Sequence, residues 1–209
     1  LVSPTALGAT YHWRVTGTVA AGRFCGSVSS AGDVNGDGYS DIIVGAYQEN
    51  GMGAVYGYFG SATGLSTTAS WTVAGAQLNA DYGSVVTGGG DVDADGYDDV
   101  LVGAQRHDHA GLGQCGAVYL FRGTSAGILT TPSWVQYGDK AGGEFGYDIS
   151  FAGDVNGDGF SDVIIGAYQY NNGEASEGRS YVYHGSLSGL GAAPAWQVES
   201  DLPGAYWGY

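Results

Sequence analysis

Basic residues are scarce in this 209-residue chain: Lys140 is the only lysine and arginine occurs only at 14, 23, 106, 122 and 179, against 21 Asp and Glu, for a formal charge of −15. Nucleic acid and anionic membrane surfaces are bound by clustered cations, so the charge disfavours both as partners, and no nucleic-acid partner is expected. No apolar run approaches the roughly 18 residues of a membrane-spanning helix. Cysteine is limited to Cys25 and Cys115, and proline to four positions. No stretch carries a convincing helical period. What abounds is glycine, 40 residues without a Gly-X-Y period, which excludes collagen and demands frequent tight turns. With 44% hydrophobic and 13% aromatic residues, the chain has the apolar surface for a sizeable core.

Those glycines punctuate an internal repeat. Asp33-Val-Asn-Gly-Asp-Gly-Tyr-Ser-Asp41, Asp91-Val-Asp-Ala-Asp-Gly-Tyr-Asp-Asp99 and Asp154-Val-Asn-Gly-Asp-Gly-Phe-Ser-Asp162 begin 58 and 63 residues apart. Trp13, Trp71, Trp134 and Trp196 keep step, each 11 residues before an aromatic: Phe24, Tyr82, Phe145 and Trp207. Length varies in one connection per repeat, residues 47–52, 105–115 and 168–177.

Each repeat predicts four short strands. The first runs from the aromatic toward the acidic segment. The second is a continuous apolar run, Ile42–Val44, Val100–Val102 and Val163–Ile165, suited to burial on both faces. The third is rich in tyrosine, and the fourth begins at each Trp. The fold class expected is all-β: propeller blades of four antiparallel strands, three full blades plus partial flanking strands. Residues 1–23 are expected to supply the final strand of a preceding or completing blade, beginning at Trp13. Residues 24–81, 82–144 and 145–206 form blades one to three, and 207–209 start a further blade. Closed propellers hold about four to eight blades. Either a longer polypeptide or an association of copies, a homo-oligomer, is then expected to complete the ring and cover its edges.

The acidic segments place oxygen side chains at positions 1, 3, 5 and 9, glycine at 6 and an aromatic carbonyl at 7. Such a loop wraps a hard cation that takes six to eight oxygens at about 2.3 to 2.6 Å. Calcium fits this pattern best, at three sites. The ligands expected are Asp33, Asn35, Asp37, Asp41 and the Tyr39 carbonyl; Asp91, Asp93, Asp95, Asp99 and the Tyr97 carbonyl; and Asp154, Asn156, Asp158, Asp162 and the Phe160 carbonyl. An EF-hand is excluded, because position 12 holds Val44, Val102 and Ile165 in place of a bidentate Glu. Two carboxylates about 4 Å apart repel by roughly 4 kcal/mol at an effective dielectric near 20, so three or four would splay the hairpin without a divalent ion. Four carboxylates at the ligand positions of the second loop, against three in the others, predict the tightest binding there.

The residues resemble the FG-GAP repeats of integrin alpha-subunit propellers over nearly the whole chain. The aromatic-Gly pair is Tyr82-Gly83, Phe145-Gly146 and Trp207-Gly208, with Phe24-Cys25 departing from it. The Gly-Ala pair is Gly45-Ala46, Gly103-Ala104 and Gly166-Ala167, followed by Tyr47, Gln105 and Tyr168 where the family has Pro. The resemblance implies a calcium-stiffened extracellular or cell-surface platform that binds a protein or glycan ligand on the face opposite the calcium loops.

Other motifs give way to the repeat. Gly123-Thr-Ser-Ala-Gly127 has the spacing of a nucleophile elbow but falls at the turn after strand three. Gly111-Leu-Gly-Gln-Cys-Gly116 precedes a strand, not a helix, and so makes no phosphate cradle. His107 and His109 have no counterparts in the other repeats, and a solvated loop is the simpler reading. Cys25 and Cys115 fit either a disulfide of an oxidising compartment or two independent thiols. The expected function is a non-enzymatic protein-recognition, adhesion or assembly module. The alternatives are a carbohydrate-binding propeller and a noncatalytic segment of a larger secreted hydrolase.

Overall fold

The computed structural model describes residues 13–209. Twelve strands form three four-stranded antiparallel sheets, each a meander in chain order. The first holds β1 (Phe24–Gly32), β2 (Asp41–Ala46), β3 (Ala54–Tyr58) and β4 (Trp71–Ala74). The second holds β5 (Tyr82–Gly90), β6 (Asp99–Ala104), β7 (Ala117–Phe121) and β8 (Trp134–Tyr137). The third holds β9 (Phe145–Gly153), β10 (Asp162–Ala167), β11 (Arg179–Tyr183) and β12 (Trp196–Glu199). The sheets stack as propeller blades, each second strand starting at the last Asp of its acidic loop.

The core lies between blades, and strand alternation explains how one blade serves two neighbours. Val100 and Val102 point into the cluster shared with blade one, whereas Leu101 points into the cluster shared with blade three. A strand buried on both faces must be apolar throughout, which is why β6 reads Val-Leu-Val.

Blades approach backbone to backbone at the Gly-Ala pair. A Cβ on Gly45, Gly103 or Gly166 would run into the carbonyl oxygen of Gly83, Gly146 or Gly208 on the following unit. The second residue of the aromatic-Gly pair sits at positive φ: +84° at Gly83, +82° at Gly146 and +89° at Gly208. A register shift follows it in each first strand. In blade one the same conformation is taken by Cys25, at φ +65°.

Trp13, Trp71 and Trp134 each latch onto the blade that follows. Trp71 packs edge-on against Phe121 at 5.3 Å and donates from Nε1 to the Leu129 carbonyl, while Trp134 does the same with Tyr183 and the Gly191 carbonyl. These rings are blade-to-blade packing. Trp13 likewise meets Tyr58 and the Ser66 carbonyl. Residues 13–23 carry no strand. A fourth strand needs the third strand of its own sheet as partner, and no such strand precedes residue 24 among the described residues. The remainder of that expected segment, residues 1–12, lies outside the described residues.

At the other end, Trp207 bridges Gly178 in parallel, as Phe145 bridges Gly116. Beyond that contact, no sheet among the described residues covers the outer faces of blades one and three. Val28 on blade one is 63% exposed, although its counterparts Val86 and Ile149 are buried. Ile164 and Trp196 on blade three are 37% and 51% exposed, where Leu101 and Trp71 are buried.

Candidate functional site

The three acidic loops are hairpin tips between first and second strands, all at one end of the blade stack. Their opening Asp organises the tip. Asp33 accepts from the amides of Asp37 (3.0 Å) and Gly38 (2.8 Å), Asp91 from Asp95 (3.2 Å) and Gly96 (2.8 Å), and Asp154 from Asp158 (3.0 Å) and Gly159 (2.8 Å). The amide of Gly159, with those of Gly157 and Asp158, holds the Asp154 carboxyl below the usual carboxylate range. Position 6 lies at φ +87°, +92° and +92° in Gly38, Gly96 and Gly159, the reason that position is glycine in all three loops.

The ninth-position acids do more than line the loop. Asp41, Asp99 and Asp162 are fully buried. One oxygen of each accepts from the amide of the loop's second residue, Val34, Val92 or Val155; the other accepts from the glycine after the third strand, Gly60, Gly123 or Gly185. Each such Asp ties three segments together and keeps one lone pair on each oxygen for a further ligand. Burial pushes the Asp99 carboxyl up to about 7 despite the two amides, and raises Asp41 as well. A cation placed there would reverse that cost.

The loops differ at position 3. Asn35 and Asn156 donate from Nδ2 to the fifth-position acids Asp37 and Asp158, at 3.1 and 2.8 Å. In the second loop Asp93 is buried, and Asp91, Asp93 and Asp99 bring carboxylate oxygens within 4.8 Å of one another, the one such acid group among the described residues. Asp93 Oδ1 is buried without a hydrogen-bond partner. An orphaned anionic oxygen facing two further carboxylates is the donor chemistry of a hard divalent cation, so the residues present fit such an ion. Sequence reasoning passed over the other neighbour of Asp93. Arg122, just beyond β7, places Nη1 at 2.6 Å from Asp93 Oδ2.

Loops also bind their neighbours. Asp33 donates from its amide to Asp98 Oδ2 at 2.7 Å and accepts from the Asp98 amide, while Thr124 donates to the Val34 carbonyl. One blade on, Ser161 donates to the Asp91 carbonyl and Ser186 to the Val92 carbonyl. The tip of each hairpin is thereby a blade-to-blade joint.

At the opposite end, the variable connections meet the linkers from the fourth strands. Asn79 donates to the Gly51 carbonyl, Arg106 to the Ala80 carbonyl, and Gln77 exchanges two hydrogen bonds with the Asp108 backbone. His109 stacks on Tyr137 at 3.6 Å and the His107 ring meets the Tyr119 hydroxyl, so both imidazoles are occupied in packing. Cys25 is an exposed free thiol and Cys115 a buried one. Thr124–Gly127 is a closed turn, with Thr124 Oγ1 donating to the Gly127 carbonyl at 2.7 Å.

A stack of four-stranded blades carrying one acidic hairpin per blade defines an acidic-loop β-propeller of integrin-like type. The chain belongs to the FG-GAP repeat family, whose repeat matches residues 26–58, 82–121 and 145–183. It is 34% identical over 158 residues to integrin alpha-4 of Xenopus laevis, covering 70% of this chain and 14% of that protein. It is 36% identical over 169 residues to human integrin alpha-IIb (76% and 16%), and 30% identical over 203 residues to integrin alpha-5 of Xenopus laevis (90% and 18%). The chain thus spans less than a fifth of the length of these relatives. No helix among the described residues is long and apolar enough to cross a membrane.

Proposed function

We propose that this chain is a calcium-stiffened recognition scaffold that works outside the cell or at its surface, without catalysis of its own. The observation that carries the reading is the second loop, where a buried carboxylate oxygen with no partner faces two other acids, in a segment repeated three times along the chain. Calcium suits all-oxygen ligand sets of this size better than magnesium, which keeps more of its water. Asp33, Asn35, Asp37, Asp41 and the Tyr39 carbonyl would hold the first ion. Asp91, Asp93, Asp95, Asp99 and the Tyr97 carbonyl would hold the second, and Asp154, Asn156, Asp158, Asp162 and the Phe160 carbonyl the third.

The ion's contribution is charge neutralisation at the tip; the rest follows from the chain. The tip hydrogen-bonds to the next blade, so a tip that cannot splay fixes that blade's position. Fixed blades hold the connections 47–52, 105–115 and 168–177 in one arrangement on the far side. That face is where a ligand would bind, as the integrin-like architecture favours. We further propose that 24–81, 82–144 and 145–206 act as the stacking units. Their uncovered ends at Val28 and at Ile164 with Trp196 would be closed by more blades of the same protein or by a second copy.

Thermal unfolding in millimolar calcium and in excess chelator tests the reading. Saturating one site at about a hundred times its Kd adds about 2.7 kcal/mol, and about 2–4 °C is expected per kcal/mol in a chain of this size. Three sites would separate the two melting temperatures by 15 °C or more, on the order of the sum of those terms. Coincident melts would remove calcium from the account.

A further inference from the structure

Position 3 of the acidic loop and the residue just after the third strand vary together along the chain. Blade one pairs Asn35 with Phe59, blade three pairs Asn156 with His184, and blade two alone pairs an acid, Asp93, with a permanent cation, Arg122. The three post-strand residues are structurally equivalent. The Phe59 ring lies over Gly127 of the following blade, where an added Cβ would stand 2.7 Å from it, and the Arg122 guanidinium lies over Gly189, at 2.6 Å from the same hypothetical atom. That seat holds the guanidinium still and aims Nη1 at Asp93 Oδ2, 2.6 Å away.

We propose that Arg122 is a built-in competitor for the cation of the second loop, cancelling the fourth ligand carboxylate so that the ligand positions of all three loops carry a net charge of −3 toward the metal. At the ligand positions Asp33, Asp37 and Asp41 carry three charges, as do Asp154, Asp158 and Asp162; Asp91, Asp93, Asp95 and Asp99 carry four, less the one on Arg122, while Asp98, the fifth acid of that loop, turns its carboxylate to the Asp33 amide of the first loop. The extra acid then does not make the second loop the strongest site. Asp93 offers the ion Oδ1, which has no partner, while Oδ2 stays with the guanidinium. A bound divalent ion and Arg122 would share one carboxylate and repel each other across it, which weakens the site relative to an uncompensated loop of four acids.

This inference rests on the calcium reading above, and the test separates the two. Calcium is titrated into the isotope-labelled chain while backbone amide resonances are followed. Gly38, Gly96 and Gly159, the sixth residues of the three loops, report each site individually. The wild-type chain should fill the three loops with similar affinity. Arg122→Gln should tighten the site reported by Gly96 by about tenfold or more and leave Gly38 and Gly159 unmoved. Arg122→Lys, which keeps the charge, should leave all three near wild type. The double variant Asp93→Asn with Arg122→Gln should return the second loop to the affinity of the other two. Should Arg122→Gln fail to fold, Arg122→Phe supplies the ring that Phe59 places in the same seat, and the same tightening is expected. An unchanged or weakened second site in a folded charge-removing variant overturns the inference and leaves calcium binding intact. A Gly96 resonance indifferent to calcium in every variant overturns both.

Discussion

Replacing Cys25 by glycine is expected to stabilise the protein. Cys25 stands where the repeat calls for glycine, at φ +65°. For an L-residue the left-handed region costs about 1–2 kcal/mol. Glycine would lift that strain while giving the unfolded chain more freedom, a loss of about 0.5–1 kcal/mol. The thiol is exposed and unbridged, so little packing is forfeited. A net gain of about 0.5–1 kcal/mol remains, or roughly 2 °C in melting temperature. Gly83→Ala is the matched reverse. It imposes the same strain, and its methyl would meet the Ala54 carbonyl oxygen at 2.9 Å and a Val55 methyl at 3.0 Å, for a loss of about 2 kcal/mol or more. Urea unfolding of both variants in millimolar calcium, analysed at constant m-value, reads the two changes. A Cys25→Gly variant less stable than wild type would refute the strain argument.

The ninth-position acids separate from the exposed ones. Asp41→Ala removes the acceptor of the buried Val34 amide and of the half-buried Gly60 amide, and in excess chelator it should cost about 3 kcal/mol, whereas Asp37→Ala under the same conditions should change stability by less than about 1 kcal/mol. Equal losses in paired urea titrations would mean that Asp41 does not brace the hairpin. Trp71→Phe keeps most of the apolar contact but loses the bond to the Leu129 carbonyl, an expected cost of about 1 kcal/mol; Trp196→Phe, on the uncovered blade, should be close to neutral. A thermal melt in which Trp196→Phe is the more damaging would show that the latch has been misassigned.

Much of the fold was legible because the repeat leaves few alternatives. Invariant spacing from Trp to aromatic to acidic loop sets the strand order, and three apolar residues running without a break at Val100–Val102 announce a strand covered on both sides. The acidic loops were legible as oxygen-bearing side chains at fixed offsets. What lay out of reach depends on contacts between blades. Trp13 carries the landmark of a fourth strand, yet the landmark encodes the grip on the following blade, and strand pairing needs a neighbour that residues 13–23 do not meet among the described residues. Arg122 was invisible for a related reason. It follows the acid it neutralises by 29 positions, beyond any local motif, and only the fold brings the two within 2.6 Å. The bracing task of Asp41, Asp99 and Asp162 was equally hidden, since one of their two donors comes from the far end of the third strand.

The tryptophan latch turns the protein into its own optical gauge. An indole clasped by the next sheet sits in a dry environment with its N–H engaged, as Trp71 does, whereas Trp196 looks into water. Emission from Trp196, and from Trp207, which is about as exposed, should shift toward the blue when another sheet settles there, so native fluorescence would register the arrival of the next member of the stack without any label.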